Sequence, residues 1–163
     1  MQEKAPDFAV ILEVLSKHNV DFIVVGGVCA VLLGAPITTF DLDIVHSRSK
    51  DNLVRLANAL SELGAHYREH LPKYLKPTIE NLGSTGHHLL ATKFGPLDVL
   101  GSIGLDDDYD VLESHIEMVH IKENIAVRIL DLDTLIDVKE KTVRTRDKVM
   151  LEILKAMNRN DAK

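Results

Sequence analysis

The sequence predicts an α/β (α+β) fold: a mixed β-sheet flanked by helices and closed by a C-terminal pair of helices. Three observations carry this reading. Short β-branched runs such as Phe22-Ile23-Val24-Val25 alternate with helical stripes. Gly26-Gly27 separates the first run from the better helix formers that follow it. The segment 131–157 carries two successive helical stripes, with Leu132, Leu135 and Ile136 in one and Met150, Ile153, Leu154 and Met157 in the other.

From the start of the chain, Phe8, Ile11, Leu12 and Leu15 share one helical face between Pro6 and Asn19, which predicts an amphipathic helix. Phe22 to Val25 reads as a strand, Gly26-Gly27 as a turn, and Val28 to Leu33 as a helix stopped by Gly34 and Pro36. Asp41-Leu42-Asp43-Ile44-Val45 reads as a second strand whose two aspartates face the same way. Leu53, Leu56, Ala57, Leu60 and Leu63 mark the next helix, capped by Ser49 or Asp51 and ended by Gly64. His88 to Thr92 and Leu97 to Leu100 flank the turn residues Phe94-Gly95-Pro96, so they are expected to pair antiparallel. A polar stretch from Asp106 to Asp110, a short helix and a last strand at Ala126 to Ile129 precede the two closing helices.

A length of 163 residues with 45% hydrophobic content suits one domain, 1–163, with an ample core. The formal charge of −6 lacks the electrostatic footprint of a general nucleic-acid binder. Cys29, the only cysteine, excludes a disulfide framework and a multi-thiolate zinc site, and its apolar neighbours mark it as a buried small residue. The apolar stretch from Phe22 to Leu33 is broken by glycine and is far short of the roughly 20 residues of a membrane span, so no membrane partner is expected. Met1-Gln2-Glu3-Lys4 lacks the regions of a secretory signal, and the expectation is a cytoplasmic location.

The chemistry concentrates in three aspartates. Asp41 and Asp43, two residues apart on a strand, present like charges that either raise a pKa or recruit a cation. Magnesium suits them, because it takes a few carboxylate oxygens and leaves its other positions to water and phosphate. Asp98 stands between Leu97 and Val99, where a lone charge is costly and calls for a partner. Gly26-Gly27, between a strand and a helix, lets the backbone approach phosphate closely.

The ordered set of strand, Gly-Gly, helix, Thr39-x-Asp41-x-Asp43 and a later strand aspartate resembles the minimal nucleotidyltransferases of the DNA polymerase beta superfamily. Gly95-Pro96-Leu97-Asp98-Val99-Leu100-Gly101, together with Leu135-Ile136, Lys139, Arg144, Arg146 and Asp147, resembles its abortive-infection branch, which contains toxin nucleotidyltransferases. The likeness spans about residues 22–154. It implies a nucleotidyltransferase fold in which two magnesium ions bridge a nucleoside triphosphate and an acceptor hydroxyl. A nucleoside monophosphate is then transferred and pyrophosphate released. By position, Asp41 and Asp43 bind both metals, and Asp98 helps to bind the one that activates the attacking oxygen. Gly26, Gly27, Thr39 and Lys139 are the expected nucleotide contacts, with Lys139 also catalytic and Asp147 orienting it.

Two positions depart from many relatives: Gly27 stands where serine is common, and Ile37 where arginine is common. They motivate an alternative reading, a nucleotide-binding or interaction module with weak catalysis, within a toxin-antitoxin system that supplies an antitoxin partner. The acceptor stays open between an RNA end, a protein hydroxyl and a small molecule. Arg144, Arg146 and Lys148 form a basic edge that is more often solvated than RNA-binding. Of His87 and His88, alternation allows at most one to face the site, and structural roles are favoured. Asp131 and Asp133 repeat the Asp-Leu-Asp pattern where a strand gives way to a helix, so a capping role explains them. Asp106 to Asp110 lacks the spaced ligands of a calcium loop, and no serine or cysteine has a hydrolase context.

Overall fold

Phe22–Val25 forms β1, and all four of its side chains are buried because it runs through the middle of the sheet. The protein is described by a computed structural model covering residues 4–70, 73–142 and 147–161. Before β1 comes α1 (Phe8–Lys17), which buries Ile11, Leu12 and Leu15. Its first turn is capped by Asp7, whose carboxylate accepts from the Val10 amide at 3.3 Å. After β1 come α2 (Gly26–Leu32), β2 (Leu42–His46) and α3 (Lys50–Glu62), the last capped by Ser49. α2 begins at the glycine pair itself, earlier than the turn-then-helix reading placed it.

The next stretch holds β3 (His66–Tyr67), a 3-10 turn at Arg68–His70 and α4 (Ile79–Leu82). A tight hairpin then joins β4 (His87–Thr92) to β5 (Gly95–Leu100). Gly95 pairs with Thr92, so the turn is Lys93-Phe94, one step earlier than expected. Beyond it lie β6 (Ser102–Ile103), β7 (Asp107–Asp108), α5 (Tyr109–Leu112), β8 (Ile116–Lys122), β9 (Ile125–Leu130), α6 (Leu132–Lys141) and α7 (Asp147–Asp161). Asp131 caps α6 by accepting from the Thr134 amide at 2.8 Å, the role expected of it. Asp107 and Asp108 are not an open acidic loop. They pair with Ser102 and Ile103, and Asp108 caps α5.

The main sheet has seven strands in the order β3-β4-β5-β2-β1-β9-β8. It is mixed: β2 pairs parallel with β5 and β1 parallel with β9, while β1 and β2 run antiparallel. Leu42, Ile44, Leu97, Val99, Ile129 and Leu130 from the central strands join Leu12, Leu15, Leu56 and Leu154 from the helices in one buried cluster. The expected fold class, a mixed sheet flanked by helices with a C-terminal helical pair, is the observed one. Among the described residues, no helix is long and apolar enough to cross a membrane.

Candidate active site

Register brings the acidic residues together. β2 and β5 run side by side in parallel, with Asp43 directly beside Asp98 and Leu42, Ile44, Leu97 and Val99 buried on either side of them. Alternation turns the flanking residues into the core and leaves both aspartates on the opposite face. There Asp41, Asp43 and Asp98 line one cleft of about 900 Å³, together with Gly26 and Lys139. Asp41 lies just before β2 rather than within it, since the strand begins at Leu42. Its carbonyl accepts a hydrogen bond from the Thr39 hydroxyl at 3.2 Å.

The Asp43 carboxyl is pushed up to about 7, chiefly by burial and then by its neighbour Asp98, through both charge and a hydrogen bond. Asp41 acts in the same direction more weakly, and the Lys139 ammonium opposes it. The acid that acts most strongly on Asp43 is thus Asp98, from a distant part of the sequence, rather than its motif partner Asp41. Among the described residues, no group of three or more His, Cys, Asp or Glu side chains is gathered into a ready metal cage.

The two glycines have separate physical reasons. Gly26 has φ +65, and a Cβ there would overlap the Asp43 carboxylate. A Cβ on Gly27 would lie 2.5 Å from the Thr39 hydroxyl oxygen and 2.9 Å from its Cβ. Gly26 therefore lets Asp43 lie against the start of α2, and Gly27 does the same for Thr39. Gly27 and Thr39 pack on each other beside the cleft rather than lining it. Arg144 and Arg146 lie outside the described residues, as does the Asp147 side chain, while Lys148 is exposed on α7.

The chain can be set beside known proteins on this geometry. No family model matches it, and no curated protein matches it either. Solved structures do. A candidate nucleotidyltransferase from Thermotoga maritima aligns with a TM-score of 0.56 and 16% identity, over 93% of this chain and 91% of that one. The lincosamide antibiotic adenylyltransferase LnuA, in a lincomycin-bound structure, aligns at 0.61 and 14%, over 95% and 97%. The antibiotic-resistance factor ANT(2'')-Ia aligns at 0.51 and 15%, over 95% and 90%. The chain has the nucleotidyltransferase fold.

On this nucleotidyltransferase fold, several cleft residues carry no signal in the sequence. Arg68 is the foremost. Its Nη1 lies 2.8 Å from Oδ1 of Asp98, an ion pair without a well-aligned hydrogen bond, and donates to the Leu90 carbonyl at 2.8 Å. The side chains are mostly enclosed, 29% and 13% exposed, so water screens the pair only in part. His87 faces the cleft and its Nε2 lies 3.1 Å from the Ser102 carbonyl. His88 points the other way and is buried, with Nδ1 2.8 Å from the Tyr67 hydroxyl, so alternation separated the two histidines as expected. Burial lowers the His88 pKa and keeps the ring neutral. Leu135 and Val138 of α6 supply apolar lining to the cleft.

Proposed function

We propose that this chain is a nucleotidyltransferase that moves a nucleoside monophosphate from a nucleoside triphosphate to an acceptor hydroxyl. The observation that carries the reading is the register of Asp43 beside Asp98 in a cleft that also receives Asp41, Gly26 and Lys139. The acceptor oxygen forms a bond to the α-phosphorus, the bond from that phosphorus to the β-phosphate oxygen breaks, and pyrophosphate leaves with the electron pair. The acceptor proton passes to solvent.

Magnesium fits the donor set. Carboxylates brought together at the cost of a raised Asp43 pKa favour a divalent cation, and an incomplete set suits an ion that takes one or two carboxylates plus phosphate oxygens. Asp41, Asp43 and Asp98 would hold two ions, which when bound neutralise developing phosphoryl charge and acidify the acceptor hydroxyl. Gly26 lines the cleft and lets Asp43 lie against the start of α2, Gly27 gives Thr39 the same room, and Thr39 holds the Asp41 backbone in place. Lys139 places a point charge in the same cleft as the carboxylates, suited to triphosphate oxygens.

The acceptor hydroxyl belongs to an RNA end, a protein or a small molecule, and the lincomycin held by LnuA is a small-molecule precedent on this fold. We place the activity in the cytoplasm, where nucleoside triphosphates are at hand. The test is incubation with labelled triphosphates, magnesium and each acceptor class, reading pyrophosphate release and label transfer. Transfer by the wild type and its loss in Asp43→Asn is the expected result. Activity that survives Asp43→Asn overturns the assignment.

A second reading, a nucleotide-binding module within a toxin-antitoxin pair, is favoured by the Arg68 ion pair on Asp98 and by the absence of polar side chains at Gly27 and Ile37. Calorimetry that finds tight triphosphate binding without transfer to any acceptor class supports the module. Growth arrest on expression, relieved by a neighbouring gene product, supports the toxin role.

A further inference from the structure

The same Nη1 of Arg68 is shared between the Leu90 carbonyl and the Asp98 carboxylate, each at 2.8 Å. The arrangement is built by the sheet. Tyr67 pairs with Leu90, and Leu90 pairs with Leu97, so the residue after Tyr67 reaches across β4 to the residue after Leu97. Tyr67 is anchored, its hydroxyl on His88 and its amide donating to the Leu75 carbonyl at 2.8 Å. The backbone beneath Arg68 is thus held, and only the side chain needs to swing for the pair to open. A guanidinium stays charged at every working pH, so the contact is not relieved by deprotonation.

We propose that Arg68 is a positioning residue that competes with divalent cations for Asp98 and so couples metal entry to polyphosphate. This rests on the reading of Asp41, Asp43 and Asp98 as metal ligands. While Arg68 holds Asp98, a cation arriving alone meets a like charge and loses a carboxylate oxygen. A cation arriving with a polyphosphate brings new anionic oxygens, onto which the guanidinium transfers while Asp98 turns to the metal. The coupling belongs to this chain's own residues, since no acceptor enters it.

The test is binding of manganese alone, followed by paramagnetic relaxation of water protons at fixed pH 8 and ionic strength, to wild type and variants that melt cooperatively. Arg68→Met is expected to bind manganese about tenfold more tightly than wild type. Arg68→Lys, which keeps the charge, is expected to stay within about threefold of it. Inorganic tripolyphosphate is expected to strengthen manganese binding in the wild type and to do so less in Arg68→Met. Arg68→Gln carries the test if the methionine variant fails to fold. Manganese affinity unchanged or weakened in the neutral variants, with Asp43→Asn still abolishing binding, overturns the role of Arg68 and leaves the proposed activity standing. Transfer that survives Asp43→Asn overturns the activity instead, whatever the manganese affinities.

Discussion

Asp43 and Asp98 occupy directly adjacent register positions on parallel strands, and burial, reinforced by this contact, raises the Asp43 carboxyl to about 7. The folded value lies above the ordinary carboxyl value of 3.8, so the folded chain holds this proton more tightly than the unfolded chain does. The contribution to stability is complete below about pH 4, declines as the pH rises toward about 7, and is level beyond that. Asp43→Asn removes the titration. In metal-free buffer the variant is expected to unfold at higher urea than wild type at pH 8, with the gap narrower at pH 5 and closing toward pH 4. Parallel curves at both pH values would show that Asp43 does not carry the proton.

Gly26 and Asp43 form a second test of the same geometry. Alanine at position 26 must adopt a left-handed φ and displace the Asp43 carboxylate. The expected cost is about 1–3 kcal/mol of stability, measured by urea unfolding, with transfer lost more completely than folding. Gly27→Ala meets Thr39 first rather than Asp43, so it is expected to keep more activity, and Thr39→Ala recovers part of its stability by removing the hydroxyl oxygen. Equal losses of transfer in the two glycine variants would count against a special place for Gly26.

Much of this was readable in the sequence where periodicity was long enough to speak. α1, α3, α6 and α7 show in their apolar stripes, and β1 in its β-branched run. The strand β8 does not, because Ile116 and Val119 stand three residues apart with exposed Glu117 and Met118 between them, and a register shift between His120 and Lys122 follows. β3, β6 and β7 have two residues each, too few for any period. Asp98 was legible as a candidate through its costly apolar setting and the resemblance, but its place directly beside Asp43 is a matter of register. Arg68 had no signal at all. Its importance comes from a partner 30 positions away, reached across an intervening strand.

Asn52 holds the far end of the strand pair that carries Asp43. It is fully buried, accepts from the Asp21 amide at 2.7 Å, and donates to the carbonyls of Asp21 and Ser47 at 3.0 and 2.7 Å. These residues flank β1 and β2 where Phe22 faces His46, while Asp43 faces Val25 at the other end. Asn52→Ala takes a partner from three backbone groups, of which the Asp21 carbonyl keeps the Ser47 amide, and is expected to cost about 2–4 kcal/mol by urea unfolding. Transfer per folded molecule is expected to stay at the wild-type level. A fall in kcat without a fall in stability would mean that the clamp reaches the site.

Lys139 is the cationic counterweight on α6, and its charge opposes the rise in the Asp43 pKa. Lys139→Met keeps most of the aliphatic stem beside Leu135 and Val138 while removing the ammonium. The Asp43 carboxyl, followed by carbon NMR in metal-free protein, is then expected to titrate higher than in the wild type, since one of the groups favouring its charged form is gone. In the transfer assay the same variant is expected to lose about tenfold or more in kcat/KM for the nucleotide, as a point charge facing the triphosphate would. The two readings separate the roles. An upward titration shift with unchanged kcat/KM would leave Lys139 as an electrostatic neighbour of Asp43 that does not touch the nucleotide.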